Sequence, residues 1–295
     1  MADDIPVCPG PVADTTTPKF DVPNGACDSH FHVFGPASVY AYSPKRGYTP
    51  PDALPSTLNE LHRILGIERR VYTQPSVYGT DNSAMMDALA KDPLPARAII
   101  AVDRDVSDKQ LEDWHNQGAR GVRFNLVDKG GMPFDTIDEV IAFSARLKPF
   151  GWHVEFLIHV DTFEHLAETV AKMHVDVVVG HMGYMKTDAG LDNPGFLEFL
   201  EALKSGKCWA KMTGAYRVTV NEAPPYDDVV PLAQALIAAA PDQLIWGSDW
   251  PHPWHYREMP NDGYLLDQVT DWTGNQTVIQ KMLVDNPARL YEFSD

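Results

Sequence analysis

Hydrophobic residues along the chain follow two alternating patterns. Short apolar runs rich in β-branched and aromatic residues predict buried strands, and the segments between them repeat apolar positions at helical spacing. The eight runs cover 26–34, 70–76, 98–103, 121–126, 152–159, 175–181, 208–214 and 244–250. The clearest helical segments cover 57–65, 108–117, 196–204 and 231–240.

This alternation predicts an α/β fold built on a parallel sheet. Eight strand–helix units in about 270 residues favour a single closed (β/α)8 barrel of the TIM type, in a distorted form. An open doubly wound sheet is the alternative, but neither G-x-G-x-x-G nor a P-loop follows any of the runs. We expect the barrel to span residues 24–295, after an extended N-terminal arm over residues 1–23.

Composition and charge narrow the classes of function. The chain has 295 residues and a formal net charge of −17, which disfavours nucleic acid and anionic membranes as partners. Its three cysteines form no C-x-x-C pair, as is typical of a reducing cytoplasm. Because the first residues are acidic and Pro-rich, we expect no signal peptide, and no apolar run reaches the roughly 18–20 residues of a membrane helix. We expect a cytoplasmic monomer or small homo-oligomer that binds a small molecule.

Polar residues gather where the predicted strands end. A (β/α)8 barrel builds its active site from the carboxyl ends of its strands, so these side chains are expected to converge there. In chain order they are His30, His32, Gln74, Ser76, Asp103, Arg123, Asn125, His159, His181, Lys211, Thr213, Ser248 and Asp249.

Four of these residues are candidates for catalysis. Side chains two apart on a strand share a face, so His30 and His32 are both expected to point into the barrel mouth. Such a pair suits metal ligation or donation to one oxygen, although two hydrogen-bonded core histidines are the alternative. Asp249 is a candidate general base or, alternatively, a helix cap. His181 is a candidate ligand or an electrophile for a carbonyl.

Other residues are candidates for binding an anion. Arginine presents a planar fork that matches a carboxylate or sulfonate. The cationic candidates are Arg123, Lys129 and Arg217, and the candidate hydroxyl donors are Tyr48, Tyr78, Tyr184 and Ser76. Asn125 and His159 complete the set as polar residues at strand ends. For the cations and hydroxyls a surface position is the alternative, and we expect His252 and His255 to lie in a surface loop.

Several motifs resemble those of the amidohydrolase superfamily, and of its lactonases in particular. They are D-S-H-F-H-V-F-G-P, G-V-R-F-N, H-M-G, W-G-S-D-W-P-H-P and D-N-P-A-R-L-Y, in this order from about residue 24 onward. The resemblance implies a distorted barrel that opens a small anionic lactone, such as 4-sulfomuconolactone or a pyrone dicarboxylate, in the degradation of aromatic compounds.

The resemblance also implies roles for the candidate residues. Many superfamily members hold a divalent metal, and in this chain the ligands would be His30, His32, His181 and Asp249. The chain departs from that pattern, because strand 4 offers Arg123 and strand 5 has Leu157. A related lactonase works without metal: its histidines polarise the lactone carbonyl and its aspartate activates water.

Three hypotheses therefore remain open at this point. The first is a metal-independent lactonase, in which Asp249 activates water against a carbonyl polarised by the histidines. The second is a hydrolase or decarboxylase that uses a bound metal such as Zn²⁺ on another small carboxylic acid. The third is a barrel that binds a small molecule without catalysis.

Overall fold

The fold is seen in a computed structural model, which describes residues 5–127 and 133–293. Lys129 lies outside the described residues. Within them, eight parallel strands form one sheet in the order β1 to β8. The strands are β1 (Cys27–Phe31), β2 (Arg69–Thr73), β3 (Ala96–Ile100), β4 (Ala119–Asn125), β5 (His153–Leu157), β6 (Val177–Val179), β7 (Cys208–Met212) and β8 (Leu244–Trp246).

Helices separate the strands along the chain. They are α1 (Pro55–Leu65), α2 (Ser83–Leu89), α3 (Asp108–Asn116), α4 (Ile137–Leu147), α5 (Leu166–Lys172), α6 (Pro194–Lys204), α7 (Ala215–Val218), α8 (Val230–Ala239), α9 (Asp262–Trp272), α10 (Gln276–Gln280) and α11 (Asn286–Tyr291). The four helical segments named from the sequence coincide with α1, α3, α6 and α8. Among the described residues, no helix is both long and apolar enough to cross a bilayer.

The sheet curls until its first and last strands meet. The amide of Asp249 donates to the carbonyl oxygen of His30 at 2.8 Å, and the amide of His32 donates to the carbonyl of Trp250 at 2.8 Å. These bonds join the chain after β8 to the end of β1. The prediction of a (β/α)8 barrel is therefore confirmed.

A buried carboxylate reinforces this seam between β1 and β8. Asp28 accepts hydrogen bonds from the Ser248 amide at 3.0 Å and the Ser248 hydroxyl at 2.6 Å. It also accepts from the His30 amide at 3.1 Å and pairs with Nε2 of His62 on α1 at 3.0 Å. The side chain of Asp28 thus ties two strands and a helix together directly below the barrel mouth.

Apolar side chains fill the amino-terminal end of the barrel. One cluster combines inward-facing strand residues with the end of the chain: Cys27, Val71, Ile99, Val178, Trp209, Ile245, Leu290, Tyr291 and Phe293. A larger cluster packs the outer face of the sheet against the helices. Because side chains close the lower end, polar chemistry is confined to the carboxyl end of the strands.

A β-bulge in β1 directs the first candidate histidine inward. The register between β1 and β2 shifts by one residue between Asp28 and Phe31, so one extra residue is accommodated in β1. Cys27 and His30 both enter the barrel as a result, although they are three residues apart. Simple alternation of side chains along β1 does not predict this arrangement.

Two strands end earlier than the apolar runs suggested. β6 stops at Val179 and β8 at Trp246, whereas the runs extend to His181 and beyond Asp249. His181 has a φ of 48° and Asp249 a φ of 64°, and this left-handed backbone is not compatible with a strand. These two candidate residues therefore lie in strained turns that follow the strands.

The arm packs along the side of the barrel and reaches its upper loops. The amide of Lys19 donates to Asp267 on α9 at 2.6 Å, and the amide of Thr16 donates to Asn261 at 3.0 Å. Further along, the amide of Cys8 donates to the Thr49 carbonyl at 2.9 Å. The described part of the arm is therefore anchored at several points.

Replacing Asp28 by Ala should destabilise the protein strongly. The change leaves several buried donors at the seam without an acceptor, so we expect the free energy of unfolding to fall by about 3 kcal/mol or more. Ser248→Ala removes one of these bonds and should cost about 1 kcal/mol. Urea denaturation measures both, and equal small losses would show that the seam does not depend on Asp28.

Candidate active site

A cavity of about 360 Å³ opens at the carboxyl end of the barrel. Its walls come from the turns that follow most of the strands. The lining residues are His32, Tyr48, Ser76, Arg123, Val127, Leu157, His181, Tyr184, Arg217, Asp249, Pro253 and Trp254. The cavity therefore brings together eight of the residues singled out in the sequence: His32, Tyr48, Ser76, Arg123, His181, Tyr184, Arg217 and Asp249.

Four other candidates do not line this cavity within the described chain. One is His30, which is completely buried. Tyr78 is buried and its hydroxyl accepts from the Gly35 amide at 2.8 Å. Asn125 accepts from the Val127 amide at 3.0 Å. His159 stacks on Tyr184 with 4.7 Å between ring centroids and bonds the Tyr184 carbonyl at 2.8 Å. These contacts suggest support for the wall of the cavity.

Asp249 uses its two carboxylate oxygens differently. Oδ2 accepts from the Tyr216 hydroxyl at 2.5 Å and from Nε of Arg217 at 2.5 Å. Oδ1 has no hydrogen-bond partner among the described residues. It faces Nε2 of His30 at 3.5 Å and Nε2 of His32 at 3.7 Å. One oxygen is anchored by hydrogen bonds, while the other faces two histidine rings without a hydrogen bond.

The negative charge of Asp249 is stabilised although the side chain is deeply buried. Burial raises the pKa of this carboxyl, but the Arg217 guanidinium, the nearby histidines and the Tyr216 hydrogen bond outweigh that effect. The resulting pKa lies well below the ordinary value. Asp249 is therefore an ionised carboxylate at neutral pH.

A buried lysine fixes the tautomer of His30. Nζ of Lys211 lies 3.1 Å from Nδ1 of His30 and 2.5 Å from the Glu155 carboxylate. Burial lowers the pKa of Lys211, and Glu155 opposes that shift. Because the lysine ammonium only donates, Nδ1 of His30 must accept, and Nε2 carries the ring proton. That N–H points towards Asp249 at the floor of the cavity.

His32 has the opposite tautomer. Its Nδ1 lies 2.7 Å from the Thr73 carbonyl oxygen, which can only accept, so Nδ1 carries the proton. Burial, with Arg123 adding to it, lowers the pKa of His32 to about 3. The ring is therefore neutral at pH 7, and its Nε2 is a hydrogen-bond acceptor beside Asp249.

His181 completes the group of histidines. Its ring centroid lies 5.1 Å from that of His30, and its Nδ1 lies 3.9 Å from Oδ2 of Asp249. Burial lowers its pKa to about 3, so this ring is neutral as well. A Cβ at position 214 would lie 2.8 Å from Nδ1, and only glycine at this position leaves room for the ring.

The residues present fit a divalent metal poorly. Donor atoms of His30, His181 and Asp249 do lie within 4.8 Å of one another. However, a metal on Nε2 of His30 would require the ring proton to move to Nδ1, where it would face Lys211. Arg217 also occupies one oxygen of Asp249, and the Arg123 guanidinium lines the same cavity. These fixed cations disfavour a second positive charge.

Both arginines of the cavity are held by carbonyl groups. Nη1 of Arg123 donates to the Gln74 carbonyl at 2.8 Å, and its Nε lies 3.6 Å from Glu155. Nη2 of Arg217 donates to the Pro253 carbonyl at 2.8 Å. Since these bonds restrict the side chains before a ligand arrives, little conformational entropy is lost on binding.

Several residues of the site were not identified from the sequence. Glu155 interrupts an apolar run that predicts a strand. A charged residue at this position was the sequence signal for a buried ion pair, which the structure forms with Lys211. Tyr216 gave no comparable signal, because its contact with Asp249 joins α7 to the turn after β8. The expectation of a surface loop for His252 and His255 was wrong: both side chains are buried, because the loop folds back onto Tyr216.

Relatives of known name cover nearly the whole chain. The chain is 37% identical over 291 residues to a 4-sulfomuconolactone hydrolase of Hydrogenophaga intermedia, with 97% of this chain and 95% of that protein covered. It is 37% identical over 287 residues to a 2-pyrone-4,6-dicarboxylate hydrolase of Comamonas testosteroni, with 95% and 94% covered.

A solved structure from Agrobacterium tumefaciens matches the fold with a TM-score of 0.85 and 25% identity, covering 94% of this chain and 99% of that one. The model of the amidohydrolase family matches residues 27–293. With nearly the whole barrel matched, the chain belongs to the amidohydrolase family.

Proposed function

We propose that this protein is a hydrolase that opens a small anionic lactone. The observation that carries the proposal is the divided carboxylate of Asp249, whose Oδ1 is free beside two histidine nitrogens while Oδ2 is anchored. The relatives named as lactone hydrolases support the same reaction class. A muconolactone or pyrone carrying acidic groups, with 4-sulfomuconolactone as the first candidate, is the proposed substrate.

Asp249 activates the attacking water in this mechanism. Its ionised Oδ1 accepts a proton from water, while Nε2 of His32 accepts a hydrogen bond from the other water hydrogen. The two acceptors lie 3.7 Å apart, so one water molecule can contact both. This use of His32 differs from the carbonyl-polarising role inferred from the resemblance, because its tautomer leaves Nε2 without a proton.

Histidine donors beside Asp249 stabilise the reacting carbonyl. Nε2–H of His30 lies 3.5 Å from Oδ1 of Asp249, and Lys211 behind the ring makes that donor more positive. Together with the His181 ring, it is placed to stabilise the tetrahedral oxyanion. When the ester bond breaks, the proton held by Asp249 passes to the leaving oxygen, and a hydroxy acid is formed.

Arginines and hydroxyl groups bind the acidic groups of the substrate. Arg123 and Arg217 line the cavity with Ser76, Tyr48 and Tyr184. Each arginine retains N–H groups beyond those bonded to carbonyls, because a guanidinium carries five. Lys129 remains a predicted contributor outside the described residues.

The first test is hydrolysis of a lactone panel by the wild-type protein and by Asp249→Asn. We expect the wild type to open 4-sulfomuconolactone or another anionic lactone, followed by ultraviolet absorbance. The amide cannot accept the proton from water, so kcat should fall by about 10²- to 10⁴-fold. Asp103→Asn, an exposed carboxylate outside the cavity, is the matched control and should retain full activity.

Two outcomes of this experiment would contradict the proposal. Near-normal turnover by Asp249→Asn, with a melting temperature like that of the wild type, would exclude Asp249 as the base. Turnover of neutral sugar lactones alone would mean that Arg123 and Arg217 do not bind substrate.

The second prediction concerns the pH dependence of kcat/KM. Arg217→Met removes the main favourable charge beside Asp249 while burial persists, so the pKa of Asp249 should rise. As the pH falls through the raised pKa, the carboxylate becomes protonated and can no longer act as the base. We therefore expect an acid limb in the variant, while the wild-type profile stays level until the protein unfolds.

Arg217→Lys is the control for this pH profile. This variant keeps a cation near Asp249, so its activity should be lost at a lower pH than the activity of Arg217→Met. Superimposable profiles for the wild type and Arg217→Met would show that the guanidinium does not set the charge state of the base.

The third prediction separates the proposed reaction from a metal-dependent one. Protein treated with a chelator and then desalted should retain its lactonase activity, since the fixed cations disfavour metal at the histidine cluster. Metal analysis of the treated protein provides the control. Loss of activity that added Zn²⁺ restores would favour the metal-dependent hydrolase instead.

A further inference from the structure

A fourth histidine lies next to the proposed base, outside the cavity. His252 is in the turn after β8, is fully buried, and its backbone amide donates to the Asp249 carbonyl at 2.7 Å. Its Nδ1 lies 3.2 Å from the Tyr216 hydroxyl oxygen, and its Nε2 lies 3.3 Å from Oδ1 of Asp262 on α9. Asp262, His252, Tyr216 and Asp249 thus form a continuous chain of buried polar groups.

The hydrogen atoms in this series of polar groups can be assigned, starting from the hydrogen bond between Tyr216 and Asp249. The Tyr216 hydroxyl has one hydrogen and donates it to Oδ2 of Asp249, so its oxygen must accept from Nδ1–H of His252. Nε2 of a neutral His252 would then turn a lone pair towards the Asp262 carboxylate. A proton between these two atoms removes that repulsion and converts the contact into an attraction.

The surroundings of Asp262 indicate His252 as its partner. Asp262 is 1% exposed, and neither of its oxygens accepts a hydrogen bond from the part of the chain that the structure describes. It is the first residue of an eleven-residue helix. A buried carboxyl group needs a polar partner, and the His252 ring is in position to be that partner.

We propose that Asp262 and His252 are a positioning pair that acts on Asp249 through Tyr216. His252 shares a proton with Asp262 through Nε2, donates from Nδ1 to the Tyr216 oxygen, and so strengthens the hydrogen bond from Tyr216 to Asp249. This inference rests on the proposed function, in which Asp249 is the base. Among the described residues, Tyr216 from α7 and Asp262 from α9 contact the His252 ring. Asp249 and His255 lie near it in its own loop.

The kinetic test is a double-mutant cycle with 4-sulfomuconolactone as the substrate. His252→Gln should lower kcat on the order of 10-fold or more and leave KM within about two-fold, because the pair orients the base and does not bind substrate. Tyr216→Phe should lower kcat as well. If His252 acts through Tyr216, the double variant should be no slower than Tyr216→Phe alone.

His255→Gln is the matched control for this cycle. His255 packs on the Tyr216 ring at 4.7 Å, but its Nε2 contacts the Glu258 carbonyl, so kcat should not change. Independent, multiplicative losses in the double variant would overturn the proposal. So would an equal loss in His255→Gln, since that would indicate general disturbance of the loop.

A spectroscopic test does not depend on turnover. In ¹⁵N-histidine-labelled wild-type protein, we expect Nδ1 of His252 to carry a proton. The signals of this ring should be absent from His252→Gln and shifted in Asp262→Asn. A His252 ring without a proton on Nδ1 would overturn the inference even if the lactone is hydrolysed. If the wild type opens no lactone, the proposed function fails, and this spectrum still decides the protonation of His252.

Discussion

The site depends on keeping one carboxylate ionised in an almost completely buried position. Asp249 is 1% exposed, and desolvation alone would favour its neutral form. Arg217 and Tyr216 supply the compensation at Oδ2 and leave Oδ1 without a partner among the described residues. Partners on both oxygens would block proton transfer. Without a partner on either oxygen, the buried carboxylate would take up a proton and lose its charge. The division between the two oxygens satisfies both requirements.

The same constraint links the fold to the chemistry. The backbone of Asp249 bonds to the backbone of His30 across the closing seam of the barrel, and the side chain of Asp28, two residues earlier on β1, crosses the same seam. The relative position of the base and the carbonyl donor is therefore set by the contact that closes the sheet. A site built across the seam gains precision from the rigidity of the barrel.

The sequence predicted the parts that rest on periodicity. Alternating runs predicted the barrel, and residues such as His32 and Arg123 were found at strand ends because barrels place active sites there. The contacts that join distant segments were not predicted. The bulge that directs His30, the pairing of Lys211 with Glu155, and the burial of His252 all depend on packing between elements far apart in sequence. No local pattern encodes these contacts, even where single residues such as Glu155 look unusual.

Charge balance explains how an acidic protein can both attract and release an anion. The whole chain carries −17, yet in the described site three cations, Arg123, Arg217 and Lys211, face the carboxylates of Asp249 and Glu155 while the histidines are neutral. One local positive charge remains for an acidic substrate. In the proposed reaction, ring opening adds a new carboxylate close to Asp249. The product is more negative than the substrate, so repulsion from Asp249 and from the field of the whole protein favours its departure.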